Sequence, residues 1–219
     1  MDALYVRQLK LGTMDNFVYL VGPRDSQEVL VVDAAWDVPA IERALLEDGK
    51  RLVGAFVSHC HGDHTNGLPE LLSRHDVPVY AQREEVDFSA NLRGLVPGAL
   101  RALDPGAEVT VGGRAFQALH TPGHTPGSQC LLAQDALVSG DTVFINGCGR
   151  CDLNGGDPEA MYRSLSQVLG KVPDSTLLLP GHDYANVPVA AMGDVRQKNP
   201  YFGFGDVASF VAYRTRPRR

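Results

Sequence analysis

Residues 58–64 read Ser-His-Cys-His-Gly-Asp-His, and no other stretch restricts so strongly what this chain can fold into. Three imidazoles and a carboxylate crowd into positions 59–64, directly after an apolar run at 52–57 that predicts a buried strand. In extended backbone, side chains at i, i+2 and i+4 share a face, so His59, His61 and Asp63 are expected to converge while Cys60 points away. A helix would spread i and i+2, which separates this pattern from the His-Glu-x-x-His helix of zinc proteases. His64 follows Asp63 directly and must leave the backbone in another direction, which points to two cations side by side. Imidazole and carboxylate donors suit zinc, iron or manganese, and without a thiolate set the site reads as catalytic rather than structural.

The rest of the chain supplies a frame for such a strand-end cluster. Short β-rich runs at 5–9, 17–21 and 29–32, parted by Gly12 and Gly22-Pro23, predict an antiparallel opening meander. Residues 39–46 have helical spacing; 68–72 predict a short helix, 77–80 a strand and 82–92 a weaker helix. Strands follow at 108–111, 115–119, 129–132 and 137–138. Pro158 then opens a helix with the stripe Met161, Leu165, Val168 and Leu169 before Gly170, and a short buried strand spans 177–179. Two βαβ-like halves with no linker between them predict one domain over 1–219, of two packed sheets with helices on the outer faces.

Three further ligand-competent residues stand at Gly-flanked turns after predicted strands: His124 in TPGHTPGS, Asp141 in SGDT and His182 in PGHDY. Together, His59-x-His61-x-Asp63-His64, His124, Asp141 and His182 resemble the ligand series of the metallo-β-lactamase superfamily, over roughly residues 4–200. The resemblance implies an α+β fold, a four-layer αββα sandwich. It implies that His59, His61 and His124 hold one metal, that Asp63, His64 and His182 hold a second, and that Asp141 bridges them. Two divalent ions are expected, zinc foremost, with iron or manganese accepted by the same donors.

Within the superfamily, GDTVF, GCGR at 147–150, DPEAMYRSL at 157–165 and GHDY at 181–184 resemble the hydroxyacylglutathione hydrolase (glyoxalase II) group. By that resemblance Arg150 and Tyr184 bind the glutathione part of a thioester. The implied reaction is hydrolysis of a small-molecule thioester, such as a hydroxyacylglutathione, by a metal-bridging hydroxide. Asp63 would act as a catalytic residue that orients the hydroxide or takes its proton. With 37 residues after His182, the sequence predicts no helical C-terminal domain like that of the long enzymes. Alternatives on the same fold are a persulfide dioxygenase using one iron on His59, His124 and Asp141, and another ester or lactone hydrolase. From a different class, a non-catalytic metal-binding scaffold also remains open.

Other features narrow partners and setting. Twenty Lys+Arg against 26 Asp+Glu leave a net charge of −6, so no basic field is available for nucleic acid. Arg214, Arg216, Arg218 and Arg219 form a basic tail, 214–219, expected to be frayed. Charges at Asp2, Arg7, Lys10 and Asp15 interrupt any signal-like core, and no apolar stretch reaches membrane-spanning length, so a cytoplasmic protein is expected. Four cysteines are too sparse for a disulfide scaffold, and Cys148-x-x-Cys151 reads as bystander thiols. His120 is expected to pack beside the site, His75 to face solvent, and Asp33, Trp36 and Asp37 to form a loop near the site floor. Oligomeric state is not legible.

Overall fold

The computed structural model describes residues 3–95 and 97–216. Six strands form the first sheet in sequence order: β1 (Leu4–Leu11), β2 (Asn16–Pro23), β3 (Glu28–Val32), β4 (Arg51–Phe56), β5 (Val79–Gln82) and β6 (Leu100–Leu103). The first three are antiparallel, as the meander predicts, whereas β3 through β6 pair in parallel. Parallel neighbours need crossovers, supplied here by α1 (Val38–Glu47), then α2 (Gly62–Thr65) with α3 (Leu68–Arg74), then α4 (Arg83–Phe88) with α5 (Ala90–Leu95). The single weak helix expected at 82–92 is thus two, parted at Ser89, whose extended backbone ends α4 and whose hydroxyl accepts from Leu92 N.

The second sheet contains β7 (Glu108–Val111), β8 (Arg114–His120), β9 (Gln129–Ala133) and β10 (Ala136–Gly140). A two-stranded ribbon follows, β11 (Val143–Phe144) with β12 (Gly147–Cys148), before β13 (Leu177–Pro180) and β14 (Ala190–Ala191) complete the sheet in the order β14-β13-β10-β9-β8-β7. Between them lies α6 (Pro158–Arg163), capped by Asp157, which widens into a π-type turn at Ser164–Val168 and tightens at Leu169–Lys171. The chain then adds α7 (Met192–Lys198) and α8 (Val207–Arg214).

Side-chain alternation sorts the core into layers. Along β2, Phe17, Tyr19 and Val21 meet the second sheet, while Val18 and Leu20 face the helices of the first. The central layer joins Leu30, Val32 and Phe56 to Phe116, Ala118, Leu131, Val138 and Leu179. On the far side, Cys130, Leu137 and Leu178 pack against Met161, Leu165, Val195 and Phe210 of the outer helices. The result is the αββα order implied by the sequence motifs. Among the described residues no helix is long and apolar enough to cross a membrane.

Several elements lay outside the sequence reading: β6, the β11–β12 ribbon, β14, α7 and α8. The strands among them are four residues or fewer, too short to show a period. The basic tail requires correction. Arg214 closes α8 and is only 8% exposed, because it lies one turn after the fully buried Phe210 on the same helix face. Residues 217–219 of that tail lie outside the described residues.

Candidate metal centre

One edge of the sandwich gathers the polar groups. β3, β4, β10 and β13 end there, as does β8, which is antiparallel to β9 and so runs parallel to β10. Loops at the carboxyl ends of parallel strands are the usual place for a site of distant residues. β2 starts at this edge, and Phe17 N donates to Gly181 O at 2.8 Å, tying the two sheets together.

The extended run expected through 59–63 stops early. His61 is extended and caps α2, so Asp63 and His64 lie on a helical turn. His59 and His61 do share a face, with ring centroids 4.7 Å apart. Asp63 does not join them. The helical turn carries it to His64 and His182, with Asp63 Oδ2 3.4 Å from His64 Nε2 and 3.5 Å from His182 Nε2. Adjacent residues therefore converge where divergence was expected, because a helical turn rotates side chains by about 100° rather than about 180°.

The ligand-competent atoms form groups, each within 4.8 Å: His59, His61 and His124; His59, His64 and Asp141; and Asp63, His64 and His182. Asp141 lies between the halves, its Oδ2 3.6 Å from His124 Nε2 and its Oδ1 3.4 Å from His64 Nε2 and 3.3 Å from His182 Nε2. Gly140 sets this carboxylate in place at φ +48°, where a Cβ would lie 2.3 Å from Ser58 Oγ. Gly123, at φ +138° before His124, approaches the Met161 backbone so closely that a Cβ would lie 2.5 Å from it.

Hydrogen bonds behind the rings decide which nitrogen faces inward. His64 Nδ1 donates to Asp33 Oδ2 at 2.9 Å, His124 Nδ1 to Arg150 O at 2.7 Å, and His182 Nδ1 to Met14 O at 2.9 Å. Ser58 Oγ donates to Asp33 Oδ2 at 2.6 Å and so can accept from His59 Nδ1 at 3.0 Å. A neutral imidazole that donates from Nδ1 presents a lone pair at Nε2. The inward-facing nitrogens crowd together in consequence: His64 Nε2 lies 3.1 Å from His182 Nε2, and His124 Nε2 lies 2.9 Å from His61 Nδ1. His59 Nε2 and Asp141 Oδ1 are buried without a hydrogen-bond partner among the described residues. Such a donor set fits divalent cations, since tetrahedral ligands at about 2.0–2.1 Å from zinc would lie about 3.3 Å apart.

The electrostatics divide the imidazoles. Burial and the neighbouring rings hold His59 well below the usual histidine range, and burial lowers His61 as well. Burial also opposes charge on His64 and His182, but Asp141 outweighs it for both, aided by Asp33 at His64, and both are raised. For Asp141 burial alone would raise the carboxyl; the charge of His64 and the nearness of the His182 and His64 rings overcome it and hold the group well below the carboxylate range. The cavity therefore favours positive charge beside Asp141.

Supporting residues extend beyond the motifs. Asp33, 3% exposed, accepts from Ser58 N, Ser58 Oγ and His64 Nδ1, so it orients two rings at once. Asn16 Nδ2 donates to Asp63 Oδ2 at 3.0 Å and is itself fixed by Trp36 Nε1, 2.9 Å from Asn16 Oδ1. Glu85, fully buried, accepts from Cys60 N, Thr125 Oγ1 and Gly127 N, joining the loop of His59 and His61 to that of His124. Buried Asp33 carried a signal, being an acid directly after an apolar strand; Asn16 and Glu85 carried none. Asp37 caps α1 instead of reaching the site.

A cleft of about 710 Å³ opens over the cluster, lined by Met14, Asp141, Phe144, Arg150, Tyr184 and Tyr201 among others. Tyr184 stacks on His182, centroids 4.6 Å apart and 7° from parallel. Arg150 is exposed at the rim and makes two hydrogen bonds to Asp152, at 3.0 and 2.9 Å. His120 joins no group; its Nε2 is bound to Pro126 O. His75, expected in solvent, is half-buried and paired with Glu42 at 3.0 Å. Cys148 and Cys151 are buried among apolar side chains, with burial pushing the Cys151 thiol up to about 11.

Known proteins resemble this chain in sequence and in fold. The chain is 32% identical over 202 residues to the probable polyketide biosynthesis zinc-dependent hydrolase PksB of Bacillus subtilis, covering 92% of this chain and 88% of that protein. It is 39% identical over 188 residues to the hydroxyacylglutathione hydrolase of Alkalilimnicola ehrlichii, covering 85% of this chain and 68% of that one. The crystal structure of ETHE1 from Myxococcus xanthus superposes with a TM-score of 0.83 at 30% identity, covering 98% of this chain and 92% of the other. The profile of the metallo-beta-lactamase superfamily matches residues 11–182, and the chain belongs to that superfamily.

Proposed function

We propose that this chain is a binuclear metal-dependent hydrolase that cleaves a thioester of a small acid, with a glutathione thioester such as a hydroxyacylglutathione as the expected substrate. The observation that carries this reading is the pair of close nitrogen–nitrogen contacts, 3.1 Å at His64 and His182 and 2.9 Å at His61 and His124, one on each side of Asp141. One cation would be held by His59, His61 and His124, the other by Asp63, His64 and His182, with Asp141 serving both. When bound, two divalent ions supply Lewis acidity and lower the pKa of water to about 7. Zinc suits these donors, as do iron and manganese.

The protein's own groups have separable tasks. Asp63, oriented by Asn16, would hold the attacking water or take its proton. Arg150 at the rim can bind a substrate carboxylate through two parallel hydrogen bonds, and the Tyr184 hydroxyl can bind an amide or carboxylate of the thiol half. A thiolate leaves without strong acid assistance, so no further proton donor is required at sulfur. Free thiols at Cys60, Cys130, Cys148 and Cys151 support a reducing, cytoplasmic setting.

The likeness to ETHE1, whose Bos taurus counterpart is a persulfide dioxygenase 28% identical to this chain over 210 residues, favours a second reading, oxidation of a glutathione persulfide at one iron held by His59, His124 and Asp141. The fully formed group of Asp63, His64 and His182 supports the hydrolase instead, since one iron would leave it unused. Zinc-loaded protein is expected to release thiol from S-lactoylglutathione without oxygen, to lose that activity on chelation and to regain it with zinc. Oxygen uptake with glutathione persulfide by iron-loaded protein, without thioester cleavage by either form, would establish the dioxygenase.

A further inference from the structure

Arg214 is a buried guanidinium, and neither candidate cation group uses it. Placing such a charge out of water is costly unless hydrogen bonds hold it. It donates to the carbonyl oxygen of Gly149 from Nε at 3.3 Å and from Nη2 at 2.8 Å. The helix that delivers it is well anchored. Asp206 caps its start, Phe210 is fully buried against the outer helices, and the guanidinium lies 5.9 Å from the centroid of Tyr201, a wall of the cleft.

Gly149 occupies the tightest point behind the cluster. A Cβ there would lie 2.0 Å from Asp141 O and 2.9 Å from His124 Cγ. The next carbonyl along the chain, Arg150 O, accepts from His124 Nδ1 at 2.7 Å and so turns His124 Nε2 toward His61 and Asp141. Two successive carbonyls thus connect α8 to the ring: Arg214 holds the first, and the second holds His124. A thiol also approaches the first, Cys151 Sγ at 3.6 Å, but sulfur is a weak donor.

We infer that Arg214 is a positioning residue: from α8 it fixes the Gly149–Arg150 peptide, and through it the orientation of His124, so that it governs the cation affinity of the His59, His61 and His124 group. This rests on the two-cation reading above, though not on the identity of the substrate. Partners behind metal-binding histidines typically contribute roughly 10–100-fold to affinity.

The experiment is an equilibrium titration of metal-stripped full-length protein with zinc against a competing chromophoric chelator, alongside thermal denaturation. Wild type is expected to bind two equivalents. Arg214→Met should weaken one of them by roughly 10–100-fold and leave the other within a few-fold. Arg214→Lys, which keeps one donor, should fall between. Tyr213→Ala is the control, since it removes an exposed side chain beside Arg214 on α8 and leaves Phe210 and the hydrogen bonds to Gly149 in place. Unchanged binding of both equivalents by Arg214→Met overturns the inference, as does the same selective weakening in Tyr213→Ala. Should the methionine variant not fold, the lysine variant decides, and wild-type affinity for both equivalents there would overturn it. Failure of wild type to bind two equivalents would overturn the two-cation reading, and this inference with it.

Discussion

The two sheets contribute to the cleft in different ways. The first supplies His59, His61, Asp63 and His64 from one contiguous turn after β4, whereas the second supplies His124, Asp141 and His182 singly, after β8, β10 and β13. On the first side the covalent chain brings the donors together and only their directions need fixing, by Asp33, Ser58 and Asn16. On the second side strand register must place each residue, and backbone carbonyls do the orienting, Arg150 O at His124 and Met14 O at His182. A local motif can therefore announce a site, but its closure depends on the packing of the whole second sheet.

Substitutions on the two sides sharpen that contrast. Asp141→Ala removes the carboxylate facing both groups. It is expected to cut zinc content and the proposed thioesterase activity by more than the roughly 10–100-fold typical of an outer partner, measured by metal analysis and steady-state kinetics. Metal content equal to wild type would show that the second sheet does not close the site. Asp33→Ala acts on the first side only, leaving Ser58 N and His64 Nδ1 without their buried acceptor at about 1–3 kcal/mol for each group. A lower Tm is expected, with weaker zinc binding that is still detectable; an unchanged Tm would mean the turn orients itself. The smallest effect belongs to Arg150→Ala, because that guanidinium is exposed and already paired with Asp152. KM for a glutathione thioester should rise several-fold with kcat little changed, as for lost uniform binding. A fall in kcat alone would place Arg150 in the chemistry instead of at the thiol.

The same contrast explains what could be read in advance. The strand alternation of Phe17 to Val21 and the helical stripe from Met161 to Leu169 follow from local periodicity and appear where expected. Asp63 was misjudged in direction, because the extended backbone turns helical at Gly62 and the sequence does not mark where. Arg214 was misjudged more deeply. Four arginines near a terminus have the composition of a solvated tail, and only the docking of Phe210 shows that the first of them faces inward.

By itself the sequence determined the donor types, the strand-then-turn setting of residues 58–64, and, through the resemblance of seven spaced residues, the superfamily. These depend on residue chemistry and short-range backbone geometry, which the chain carries locally. Tertiary structure alone decided which nitrogen of each histidine faces the cleft, that Asp33, Asn16 and Glu85 hold the donors in place, and that α8 returns to grip Gly149. Those choices are made by groups far apart in the chain, whose approach is set by the pairing of strands and the packing of layers rather than by any period in the sequence.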